Sequence, residues 1–104
     1  MIKIKLTKID NNISSIVIKG HALYDDFGKD IVCAALSSTV ITSINACLTI
    51  NEHSLSYDDK DGLDIDILSH DTVTTKIINN LISNLYELER VYPKYVQIKE
   101  ENNE

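Results

Sequence analysis

Two residue types capable of covalent chemistry stand close together in this chain: His21, in Gly20-His21-Ala22, and Cys33, in Gly28-Lys29-Asp30-Ile31-Val32-Cys33-Ala34-Ala35-Leu36-Ser37. A thiol becomes a nucleophile when its thiolate is stabilised, and an imidazole beside a helix N-terminus supplies that stabilisation. The local pattern puts His21 at the end of a strand and Cys33 at the start of a helix. With Asp30 as N-cap, Cys33 takes the third helical position, inside the turn whose N–H groups lack helical acceptors. The macrodipole favours a thiolate there, and the same N–H groups suit the oxyanion of a tetrahedral intermediate. His21, preceded by a glycine that leaves its ring unobstructed, would act first as base and then as acid. The chemistry implied is acyl transfer.

Around this pair stand supporting candidates. Asp30 reads first as the cap, and a turn of its carboxylate toward His21 would let it orient the imidazole instead. Ser37 follows Cys33 by one helical turn, which fits either a hydrogen bond within the site or a small residue at a packed surface. Between the pair, Tyr24 and Phe27 either cover a bound peptide or pin the loop to the core, and Gly28 can supply an unusual backbone angle.

The elements that must position these residues follow from periodicity. Residues 2–8 alternate, with Ile2, Ile4 and Leu6 on one face, and residues 13–19 alternate around Ile16 and Ile18, so the two strands form a hairpin across Asp10-Asn11-Asn12. From Ile31 to about Ile50, Val32, Leu36, Val40, Ile44 and Cys47 mark one helical stripe. Leu55-Ser56-Tyr57 and Leu63-Asp64-Ile65-Asp66-Ile67 flank an Asp- and Gly-rich turn as a second hairpin. Val73, Ile77, Leu81, Leu85, Leu88 and Tyr92 mark a second long helix, capped by Asp71 and stopped by Pro93. Tyr95 to Lys99 forms a last strand. The expected fold is α+β: one domain over residues 1–99, a mixed or antiparallel sheet of about five strands with two helices on one face, in the order β-β-α-β-β-α-β. Residues 100–104 are too polar to bury anything and read as a frayed tail.

Other reactive residues fit no site. Cys33 and Cys47 lie about 21 Å apart if they share one helix, too far for a disulfide, and two thiols suit a reducing cytoplasm. Cys47 falls on the apolar stripe and reads as core. His53 and His70 make no zinc-ligand spacing with the cysteines, and there is no Cys-x-x-Cys or phosphate-cradling glycine loop, so neither metal nor cofactor is expected.

At 104 residues the chain holds one core, and 16 acidic against 10 basic residues leave a net charge of −6. That charge repels phosphate backbones unless the lysines cluster, which argues against nucleic acid as a direct partner. It would attract a basic protein, or it merely keeps the chain soluble. No run of ~20 uninterrupted apolar residues suggests a membrane span, and the alternating N-terminus reads as a strand and not a signal peptide.

The Gly-His-Ala segment and the Gly-x-Asp-Ile-Val-Cys-Ala-Ala-x-Ser segment closely resemble the ribosomal-processing cysteine proteases, small bacterial enzymes that trim a ribosomal protein. The resemblance runs through nearly the whole chain and is most specific across Gly20 to Ser37. It implies that His21 and Cys33 are the catalytic pair, with Asp30 and Ser37 in support. It also implies that the substrate is the N-terminal extension of large-subunit ribosomal protein 27. Cleavage in the family follows an aromatic-rich stretch, which implies an apolar pocket beside Cys33. A homodimer is implied as well. The competing reading is a non-catalytic acidic module that binds a basic ribosomal protein or a ribosome assembly factor.

Overall fold

The computed structural model describes residues 1–20 and 27–103, the side chains of 27–30 excepted. Seven elements follow in order: β1 (Ile2–Ile9), β2 (Asn12–Lys19), α1 (Phe27–Ile50), β3 (Leu55–Asp58), β4 (Leu63–Ile67), α2 (Thr72–Val91) and β5 (Val96–Asn102). The α+β order expected from periodicity is the one observed. The sheet runs β3-β4-β2-β1-β5, and only the β1–β5 pairing is parallel, so it is mixed.

The β1–β2 hairpin closes through Asp10 and Asn11, whose φ values of 53° and 66° give the left-handed pair that matches strand twist in a two-residue turn. Asp and Asn tolerate that region better than most side chains. Between Thr7 and Lys8 the register shifts because β2 carries the extra residue Ser14, and this bulge lets Ile13 and Ile16, three residues apart, both be buried. Ser14 Oγ donates to the Thr7 carbonyl at 3.1 Å across this irregularity.

The alternating residues Ile2, Ile4, Leu6, Ile16, Ile18, Ile65 and Ile67 bury one sheet face against Val32, Leu36, Val40, Ile44 and Cys47 of α1 and Ile78, Leu81 and Leu85 of α2. Truncating a fully buried member such as Leu85 to Ala should cost about 2–5 kcal/mol. By length and composition Ile31–Ile50 would suffice to cross a bilayer, yet its apolar stripe is the one packed in this core. Hydroxyls interrupt the rest of it, with Thr39 Oγ1 and Ser43 Oγ each donating to the carbonyl four residues back at 2.9 Å.

Asp71 is the N-cap of α2, accepting from the Thr74 N–H at 2.8 Å. The hydrogen bond from Ser69 and then the Thr74 amide are the leading causes that hold its carboxyl down at about 2. The helix ends where Tyr92 donates its N–H to the Leu88 carbonyl at 2.8 Å, one residue before Pro93. Its inner stripe begins at Thr74 and Ile78, whereas the expected Val73 is exposed. The straight-helix period of 3.6 favours that register over the one starting at Val73.

The polar C-terminus departs from expectation. Residues 100–102 continue β5 in parallel register with Leu6, Thr7 and Lys8, and Asn103 donates to the Lys8 carbonyl at 2.8 Å. Backbone pairing needs no apolar side chains, and at this edge the carboxylates find partners instead. Glu100 pairs with Lys8 at 3.0 Å and accepts from the Tyr86 hydroxyl, and Lys5 lies 3.6 Å from Glu101. On the outer side, Glu89 Oε2 accepts the Ile98 N–H at 2.7 Å, occupying a donor that would otherwise recruit another strand.

Candidate active site

Gly20 ends β2 and hands the chain to His21. Its φ is +84°, and an added Cβ would overlap the Met1 carbonyl oxygen. Only glycine fits both the angle and the space. Gly62, in the β3–β4 hairpin, has φ +77° and presses in the same way on the Ile18 carbonyl, so glycines flank the end of β2 on both sides. His21 and Tyr24 lie outside the described residues.

The start of α1 corrects the expected cap. The helix begins at Phe27, so Phe27, Gly28 and Asp30 are already helical, Asp30 is not the N-cap, and Cys33 is well past the first turn. Apolar periodicity becomes visible only from Ile31, which made Asp30 look like the boundary. The unused N–H groups belong to residues 27–30, while the Cys33 N–H is spent inside the helix. The first-turn amides expected beside the thiol therefore lie one to two turns earlier.

Cys33 is half-buried against the core, and Ser37 follows one turn later on the same side, about 6 Å along the axis. From Ser37 an apolar groove of about 470 Å³ runs along α1 past Val40, Ile41 and Ile44 to Asn45. Its far wall is the β3–β4 hairpin, through Tyr57, Asp59, Gly62 and Leu63, and Ile18 of β2 lies at its base. Residues 33, 37, 40, 41 and 44 share one helical side at i, i+3 and i+4 spacings, so Cys33 stands in line with the groove at its upper end. Ile18 in that lining brings the end of β2, two residues before Gly20, to the groove.

The hairpin wall was not foreseen from the sequence. Two large side chains mark it as a surface meant to be covered: Ile41 is 55% and Tyr57 53% exposed. An isoleucine eight residues after Cys33, two turns further on the same side, was the available signal.

The remaining reactive groups are elsewhere. Cys47 is buried, and burial, followed by the charge of Asp71, pushes its thiol up. His53 pairs with neighbouring Glu52 at 3.4 Å, and His70 Nε2 lies 3.3 Å from the Ile13 carbonyl oxygen. Among the described residues no three His, Cys, Asp or Glu side chains gather as metal ligands.

A family model described as cysteine protease Prp matches residues 1–97. The ribosomal processing cysteine protease Prp of Staphylococcus aureus is 30% identical over 104 residues, spanning 94% of this chain and 97% of that protein. Among solved structures, SMU.848 from Streptococcus mutans superposes with a TM-score of 0.85 at 25% identity, over 99% of this chain and 96% of its own. The essential ribosomal processing protease Prp of S. aureus, solved in complex with a substrate peptide, superposes at 0.87 with 23% identity, over 97% of this chain and all of its own. The match along nearly the full chain sets the non-catalytic module aside: this chain belongs to the Prp family of ribosomal processing cysteine proteases.

Proposed function

We propose that the chain removes the N-terminal extension of large-subunit ribosomal protein 27, with Cys33 as nucleophile and His21 as general base and acid. The observation that carries this reading is the alignment of Cys33 and Ser37 with the apolar groove of α1. The groove suits the aromatic side chains that precede the cut in the family's substrates, and Ser37, which lines it nearest to Cys33 but for Leu36, is assigned to contact the peptide near the scissile bond.

In the proposed cycle His21 takes the Cys33 proton and the thiolate attacks the scissile carbonyl carbon. The carbon–nitrogen bond breaks as the imidazolium protonates the departing amine, leaving a thioester. His21 then takes a proton from water, the hydroxide attacks the thioester, and the thiol returns as the new carboxylate leaves. Because the Cys33 amide is committed to the helix, oxyanion donors are assigned to groups outside the interior of α1. Asp30 is assigned to orienting His21, the role left once it is not the cap.

The reading includes a cytoplasmic homodimer. An outward stripe of α1, formed by Ile31, Ala34, Ser38 and Ile41, is exposed and supports a second copy. The test is intact-mass analysis of ribosomal protein 27 bearing its extension, incubated with wild type, Cys33→Ala and His21→Ala. A single cut made by wild type and lost in both variants supports the assignment. Cutting that survives Cys33→Ala refutes it.

A further inference from the structure

The sheet face turned away from the helices carries a second functional surface. Because Ile2, Ile4 and Leu6 point into the core, Lys3 and Lys5 point outward, as do Lys19 on β2 and Lys99 on β5. Register brings them together: Lys3 pairs with Lys19 across β1–β2, and Lys5 pairs with Lys99 across β1–β5. Like charges directly opposite in a sheet destabilise it, and here two such pairs adjoin. Of the four, only Lys5 forms an ion pair among the described residues, with Glu101 at 3.6 Å, and that pair is half-exposed. Lys3, Lys19 and Lys99 are exposed and join no ion pair among the described residues. The four lysines surround a shallow depression that Ile4, Val17 and Gln97 complete, with Glu100 and Glu101 at its β5 end.

Composition alone argued against polyanions on the condition that lysines stay dispersed, and the fold does not meet that condition. Four of the ten basic residues of an otherwise acidic chain are concentrated on three adjacent strands. We propose that this face binds the phosphate backbone of RNA. A protein partner would need an apolar centre to bury, and with Ile4 already buried in the core Val17 is the one partly exposed apolar side chain in the depression. No aromatic residue lies there to stack bases, so contacts are to phosphates and the binding is indifferent to sequence. Carboxylates border the patch on two sides, Asp64 and Asp66 on the adjoining β4 and Glu100 and Glu101 at the end of β5, and confine a polyanion to the lysines between them. Cys33 and the groove lie on the helical side of the sheet, so a peptide and an RNA can be held at once.

The test is fluorescence anisotropy with a labelled oligouridylate of about 20 nucleotides, titrated between about 50 and 200 mM salt. Wild type should bind at low salt, with a log–log salt slope near −3 for about four neutralised phosphates. Lys3→Gln with Lys19→Gln should weaken binding about tenfold or more and bring the slope to about −1.5. Lys60→Gln with Lys76→Gln, outside the face, should change neither, and cleavage of a free peptide by all variants should match wild type. Absence of RNA binding by wild type at low salt overturns the proposal, as does binding that the Lys3 and Lys19 variant leaves unmoved. Loss of self-association in that variant, with RNA binding intact, would make the face a protein interface instead.

Discussion

Gly20 packs so closely on Met1 that a single added carbon would overlap the Met1 carbonyl oxygen, and its φ of +84° disfavours any L side chain. The residue next to the proposed catalytic base is thus fixed against the first strand of the sheet. Gly20→Ala should lower stability by about 2 kcal/mol, from backbone strain and from displacement of β1. It should lower the cleavage rate further than that loss of folded protein explains, because the direction of the chain at His21 changes. Urea unfolding alongside initial rates separates the two effects.

Tyr57 and Ile41 face each other across the groove on separate elements, each more than half exposed. Tyr57→Ala and Ile41→Ser should change stability by no more than about 0.5 kcal/mol, as expected for surface positions. If the groove seats the substrate, both raise KM for the extended substrate several-fold while kcat changes less. A fall in kcat with KM unchanged would place the peptide elsewhere.

The first of these residues was legible in the sequence and the second pair was not. Gly20 ends an alternating run and precedes a histidine, a pattern visible without coordinates. The core was equally readable, because Val32, Leu36, Val40, Ile44 and Cys47 keep helical spacing and all five are buried. Tyr57 needed the β3–β4 pairing and the approach of that hairpin to α1, both set by contacts distant in sequence. The start of α1 failed for a local reason, since Asp30 has strong capping propensity while Phe27 and Gly28 carry no helical signal. Strand β5 outran its apolar residues because an edge strand is held by its backbone. The lysine face emerged only from register, since Lys3, Lys19 and Lys99 are scattered in the chain.

The two thiols should react differently. Cys47 is 1% exposed and its thiol is pushed up by burial, so iodoacetamide should leave it intact in the native protein and modify it only on unfolding. Cys47→Ser should cost about 1–3 kcal/mol, because a hydroxyl replaces a thiol in the core without an assured partner. Peptide mapping after native and denaturing alkylation checks the first outcome, and thermal unfolding the second.

Asp71 couples stability to acid pH. Its carboxyl, at about 2 in the folded chain, lies below the ordinary 3.8 because Ser69 and the Thr74 amide hydrogen-bond the charged form. The stabilisation is therefore fully present above about 3.8 and is lost as pH falls through about 2. Asp71→Ala should lower the unfolding midpoint at neutral pH, and the gap from wild type should narrow progressively across that window. A gap of constant size down to the lowest pH would show that the charged cap is not its source.

The most direct test of the account is to trap the acyl-enzyme chemistry itself. A peptide matching the extension of ribosomal protein 27 up to the cut, ending in a chloromethyl ketone, should alkylate one residue of the native protein, and peptide mapping identifies it. The account predicts an adduct on Cys33 that forms far more slowly in His21→Ala and is suppressed by excess uncut substrate. An adduct on Cys47, or labelling of Cys33 at the same rate in His21→Ala, would contradict it.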